Sequence, residues 1–196
     1  MAISNFLRLK MKKLLTACAV ASALISVPAF AQGYMGAGFG SSKISGIDSG
    51  ATSGGNASKG MTKIYGGFQF TPNWGVEAQY SDLGSRDVTF AGVPAGSFRT
   101  SQFSIAGTGT LPLSSDFSLL GKLGYSANRF NASAGLGPVN NANSMLIGVG
   151  VAYNITPALS ARLEYEDFGK IATIPTAVPT ITARANGYSI SLKYGF

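Results

Sequence analysis

The 196-residue chain contains no histidine. That absence removes Ser-His-Asp and Cys-His nucleophilic catalysis, histidine metal sites, and any lipase, deacylase or acyltransferase that relies on imidazole as a base. The only cysteine is Cys18, inside an apolar leader, so the remainder can form no disulfide. Charge is also scarce. Only 12% of residues are Asp, Glu, Lys or Arg, against about 25% in soluble domains, too few to cover a soluble exterior. No stretch beyond the leader approaches the about 20 apolar residues of a membrane-spanning helix.

What is present begins with export. Arg8, Lys10, Lys12 and Lys13 precede the apolar run "LLTACAVASALISV", followed by Pro28 and by Ala29, Phe30 and Ala31. A basic segment, a short apolar run and an A-x-A site make a secretory signal peptide. It is expected to span residues 1–31, with cleavage between Ala31 and Gln32 and a single domain over 32–196. Met11 opens "MKKLL", itself a complete signal start, so both Met1 and Met11 stand as start sites. Without the leader, eleven basic and eight acidic residues leave a formal charge of +3 in place of +7. That excess is too small and too dispersed to point to nucleic acid or to an anionic surface.

The period that persists is two, the period of strands. Trp74, Val76, Ala78 and Tyr80 alternate with Gly75, Glu77, Gln79 and Ser81. Leu159, Ala161, Leu163 and Tyr165 alternate with Ser160, Arg162, Glu164 and Glu166. The end alternates Tyr188, Ile190, Leu192, Tyr194 and Phe196 with Ser189, Ser191, Lys193 and Gly195. "FSLLGKLGYS" fits with Leu120 on the face of Lys122, and segments 33–41, 62–70, 98–111 and 144–155 complete eight candidates of about ten residues, the length of a tilted membrane-crossing strand. Short turns at "TPN", "PLSSD" and "TPA" alternate with long connections rich in Gly, Ser, Asn and Pro. Among the latter is "GSRDVTFAGVPAG". The long connections carry little charge and few aromatics, so no basic patch is expected there.

On the apolar face Phe70, Trp74, Phe117 and Phe196 fall at the short-turn rim, and Tyr80, Tyr125, Tyr165 and Tyr188 toward the other. Two aromatic girdles mark a sheet that crosses a bilayer. The expected fold is all-β, an eight-stranded antiparallel up-and-down transmembrane β-barrel, closed because hydrocarbon leaves no backbone group unpaired. Its lumen would be filled by side chains. Glu77 and Glu164 could form a glycosidase pair, but inward charges need partners, and pairing with Lys122, Arg162 and Lys193 is the stronger reading. The "GAGFG" run reads as glycine on a tightly curved strand, since no strand-loop-helix context for a phosphate follows.

"GGFQFTPNWGVEAQYSDLG", "GVGVAYNITPALSARLEYEDFG" and "YSISLKYGF" resemble the eight-stranded transmembrane domain of the outer membrane protein A family. The resemblance implies a bacterial outer-membrane location, with outer-membrane lipid and the assembly machinery as partners. It also implies an inward ion-pair network at Glu77, Lys122, Arg162 and Glu164, discussed in that family as a gate. Thr108 and Ala152 stand where the family has a lysine and a glutamate, which leaves that gate incomplete. The family's periplasmic peptidoglycan-binding domain has no counterpart before Phe196. A monomer without cofactor, metal or enzymatic activity is expected, serving as a structural or surface-interaction barrel whose loop ligand is unknown, or as a narrow gated channel. Tyr194 and the terminal Phe196 resemble the signal read by the insertion machinery. Deleting Phe196 is therefore expected to lower insertion in cells, measured by heat-modifiable gel migration, more than it lowers the urea midpoint of protein refolded in detergent. Equal losses would make Phe196 one more girdle residue.

Overall fold

A computed structural model describes residues 32–46, 52–53, 56, 58–132, 140–174 and 181–196. The leader and Ala31 lie outside the described residues, as do parts of three long connections. Eight long strands follow one another: β1 (Gln32–Ser45), β2 (Ser58–Gln69), β3 (Trp74–Phe90), β4 (Val93–Pro112), β5 (Phe117–Ala132), β6 (Asn143–Asn154), β7 (Leu159–Ile174) and β8 (Ile181–Gly195). Each pairs antiparallel with its sequence neighbour. The circle closes where β1 meets β8, from Tyr34↔Gly195 to Ser45↔Arg184. The Phe196 amide donates to the Gly33 carbonyl at 2.9 Å, which extends that seam to the last residue. Two-residue pairings at Thr52–Ser53 and Asn140–Asn141 add to the outer rim.

The three short turns share one device. The hydroxyl of Thr71, Ser114 or Thr156 accepts the amide of the residue three positions on, Trp74, Phe117 or Leu159, at 3.0, 3.1 and 3.0 Å. A hydroxyl at this position takes up an amide that the reversing chain would otherwise leave unpaired. Proline follows the threonine in two of these turns, whereas the serine of the third works without it.

Between the girdles the outer face is apolar. Phe70, Trp74, Phe117 and Phe196 are exposed at the short-turn rim, and Tyr80, Tyr125, Tyr165 and Tyr188 are exposed toward the other rim, about 15–20 Å of height away at six to eight residues per tilted strand. Inward positions carry Lys63, Glu77, Gln79, Lys122, Arg162, Glu164 and Glu166, all buried. Beyond the second girdle the arrangement inverts. Ile44, Met61, Leu83, Phe98, Leu146, Phe168 and Ile171 turn inward as one buried cluster, while Lys43, Asp87, Arg99, Arg129, Asp167, Lys170 and Arg184 face out. The inversion follows the solvent. Where the wall stands in hydrocarbon its apolar side faces out, and where it stands in water apolar burial drives those side chains inward, about 1.5–3 kcal/mol for each large one.

Two expectations are corrected here. The strands run 12 to 20 residues, longer than about ten, because pairing continues above the membrane around the apolar cluster. "GSRDVTFAGVPAG" is a hairpin and not a long loop. β3 and β4 stay paired to Phe90↔Val93 and reverse through Ala91 and Gly92 with φ of 50° and 80°, the positive φ values of a tight hairpin turn whose twist matches its strands. Gly84, at φ 81°, sits in a bulge between Asp82 and Ser85. It shifts the inward set from Ser81 and Leu83 to Arg86 and Val88. Arg86 then ties the outer ends of β1 and β3 together, donating to the Leu83 carbonyl at 2.9 Å and to the Ser42 hydroxyl at 2.7 Å.

Candidate functional site

The barrel interior is layered along the strands. Nearest the short turns lies an open cavity of about 280 Å³ lined by polar side chains from several strands. Above it sits a layer of charges, then a band of Gln79, Gln102, Ser126 and Asn128, and last the apolar cluster.

The charge layer is built from β2, β3, β5 and β7. Lys122 Nζ reaches Glu77 at 2.5 Å, Glu164 at 2.6 Å and Glu166 at 3.4 Å. Lys63 Nζ reaches Glu164 at 2.6 Å and Glu166 at 3.1 Å. Arg162 Nη1 donates to Glu77 at 2.9 Å, and the Tyr34 hydroxyl donates to the same Glu77 oxygen at 3.1 Å. Three cations meet three carboxylates, so the layer is neutral as well as buried. Burying an ion is costly, and a closed, balanced set with its lone pairs engaged meets that cost.

Small residues on the intervening strands make room for these long side chains. A Cβ on Gly150 would come within 2.9 Å of the Glu164 side chain, and one on Gly148 within 3.3 Å of Glu166. On β1 a Cβ at Gly36 would run into the Tyr65 ring. The "GAGFG" run thus turns its small inner face toward that ring, whose hydroxyl bonds Ser191 at 3.1 Å on β8. Two tyrosines, Tyr34 and Tyr65, pack edge to face beneath the layer with centroids 6.5 Å apart.

Of the residues singled out from the sequence, Glu77, Lys122, Arg162 and Glu164 lie together in this layer. Lys193 does not join it. Half-buried at the cavity, it makes no ion pair among the described residues, and its ammonium stands 5.1 Å from the Tyr34 ring centre. Tyr194 and Phe196 are exposed on the outer face, and Gln32 is exposed at the start of β1, paired with Gln69 at the short-turn rim. Four participants escaped sequence reasoning: Lys63, Glu166, Tyr34 and Tyr65. Their signal was the alternation itself. Lys63 and Tyr65 flank outward Ile64, but "MTKIYGGF" alternates poorly because of its glycines. Tyrosine also read most naturally as a girdle residue.

The outer surface holds a second constellation, in which five basic side chains share the wall above the girdle with Asp82, Asp87 and Asp167. Lys43, Arg99, Arg129 and Arg184 each lie four residues beyond an outward aromatic, namely Phe39, Phe103, Tyr125 and Tyr188, and Lys170 lies five beyond Tyr165. At about 3.3 Å per residue and a tilt near 40°, they form a band about 10 Å above the girdle. Arg99 pairs with Asp82, and this contact holds the Asp82 carboxyl below its ordinary value. Lys170 and Arg184 stand directly opposite each other on neighbouring strands, a like-charge pairing that is unfavourable unless an anion intervenes. No group of three His, Cys, Asp or Glu side chains among the described residues is placed to hold a metal ion.

Residues 16–196 match the family described as outer membrane protein beta-barrel domain. No curated protein gives a significant match. Among solved structures, the outer membrane protein OprG from Pseudomonas aeruginosa superposes with a TM-score of 0.59 at 15% identity, over 85% of this chain and 96% of that one. Neisserial surface protein A (NspA) does so with 0.54 at 19% identity, over 84% and 97%. Ail, the attachment invasion locus protein of Yersinia pestis, gives 0.53 at 13% identity, over 85% and 99%. At these identities the likeness is one of fold.

The charge layer carries its own expectation. Glu77→Ala removes the partner of two buried cations and is expected to lower the unfolding free energy by about 3–5 kcal/mol. Glu77→Ala with Lys122→Met leaves two cations and two carboxylates, so its loss is expected to be smaller than that of the single variant. Urea unfolding in lipid vesicles, followed by Trp74 fluorescence, measures both. Additive losses would show that the layer does not act as a balanced unit.

Proposed function

Because the chain belongs to the family of outer membrane protein β-barrel domains and lies in the bacterial outer membrane, we propose that it is a sealed structural and surface barrel, not a pore and not an enzyme. The observation that carries this reading is the filled lumen. An ion crossing it would have to part the six paired charges between Lys63 and Glu166 and then pass the apolar cluster around Leu83, Phe98 and Phe168. A narrow gated channel along Glu77, Lys122, Arg162, Glu164 and Lys193 is the competing reading, and it needs both barriers to move. Refolded protein in a planar bilayer is expected to show no conductance above background, as wild type or as Glu77→Gln. A steady wild-type conductance abolished or altered by Glu77→Gln would replace the sealed barrel with the channel.

The outward basic band supports an envelope role. At about 10 Å above the aromatic girdle it stands level with lipid headgroups, where each basic side chain near an anionic surface contributes about 1 kcal/mol. Outer-membrane lipid is thus the partner that Lys43, Arg129, Lys170 and Arg184 fit, while the assembly machinery would read Tyr194 and Phe196 during biogenesis. Wild-type barrel is expected to have a higher urea midpoint in anionic than in zwitterionic vesicles at low salt, and Lys170→Gln/Arg184→Gln is expected to lose much of that difference. An unchanged difference in the double variant would remove the lipid role from this band.

A further inference from the structure

The cavity at the short-turn mouth has an unusual charge inventory. Its lining includes Arg162 and Lys193 and no carboxylate. The charge layer above it is already neutral without Lys193, which makes no ion pair among the described residues. Glu77 is already engaged. One of its oxygens takes Lys122, and the other takes Arg162 and Tyr34.

Arg162 is only partly used. Its Nη1 is committed to Glu77, whereas its buried Nε has no partner. Arg162 is 5% exposed, so this is a donor withheld from bulk water, and leaving such a donor idle is costly. Ser160, also in the lining, has a buried hydroxyl without a partner. Lys193 and Arg162 both lie 5.1 Å from the centre of the Tyr34 ring. Two cations therefore share one aromatic ring beside a cavity of about 280 Å³, many times the about 10–15 Å³ that a single water needs.

We propose that this mouth is a binding site for a small oxyanion, phosphate or carboxylate in chemistry, entering from the periplasmic water. The Lys193 ammonium would supply a charge-assisted hydrogen bond, and a small turn of the Arg162 side chain would bring its unpartnered Nε to the same anion. Ser118 and Ser160 line the same space. The site opens inside the barrel wall and not onto the lipid face, which selects an anion free in solution over a lipid headgroup. It does not depend on whether the barrel conducts, since the charge layer closes its far side.

Inorganic phosphate titrated into isotopically labelled protein in a non-ionic, phosphate-free detergent tests this. The expected result is a saturable shift of amide resonances at Ser118, Ser160 and Lys193, with sodium chloride at matched ionic strength producing no such saturation. Lys193→Met is expected to weaken the apparent affinity by about tenfold or more, the loss of one charge-assisted contact, while the remote Arg99→Gln leaves it unchanged. Heat-modifiable migration checks that each variant is folded, and the wild-type shift map stands alone if Lys193→Met does not fold. Shifts that never saturate, that chloride reproduces, that centre on Lys170 and Arg184, or that survive Lys193→Met unaltered would each overturn the site and leave an adventitious ion only.

Discussion

In hydrocarbon a backbone N–H or C=O without a partner costs several kcal/mol, and the rest of this molecule follows from avoiding that cost. A sheet meets it only by closing, so β1 must find β8, and the chain carries that pairing through to the Phe196 amide on the Gly33 carbonyl. Eight strands then define a lumen just wide enough for side chains. Most of what faces inward is buried, and a charge buried there needs partners.

The matching accounts for features that look unrelated along the chain. Glycines on β1 and β6 leave room for Tyr65, Glu164 and Glu166, and the two glutamates in turn meet Lys63 and Lys122 from strands far away in sequence. The layer is neutral as three against three, which sets Lys193 apart as a cation with an aromatic neighbour and, among the described residues, no ion pair. An interior of this kind is packed by the apolar cluster at one end and open at the short-turn mouth.

Solvent decides the sense of the wall at each height. Between the girdles lipid takes the apolar side chains, and above them water drives Ile44, Phe98 and Phe168 inside and turns Lys43, Lys170 and Arg184 out. The alternation continues through the change, so a pattern reader sees apolar and polar residues trade faces and mistakes the upper wall for loop. The bulge at Gly84 compounds this, because one extra residue shifts the inward parity of β3. Segment 84–96 is therefore poorly legible from sequence, whereas 74–81, 159–166 and 188–196 are read correctly from period and composition.

By itself the sequence determined the class of the molecule. Period two, scarce charge and aromatics at both ends of each repeat specify a closed membrane sheet, because only that structure satisfies its backbone in hydrocarbon while exposing such side chains. It also identified Glu77, Lys122, Arg162 and Glu164 as inward, since parity along one strand is a local property. Only the tertiary structure decided who meets whom. Lys63 lies 101 residues from Glu164, and that contact depends on strand register around the whole barrel, as do the opposition of Lys170 to Arg184 and the isolation of Lys193. Those relations set the balance of charge at each height, and no local pattern carries them.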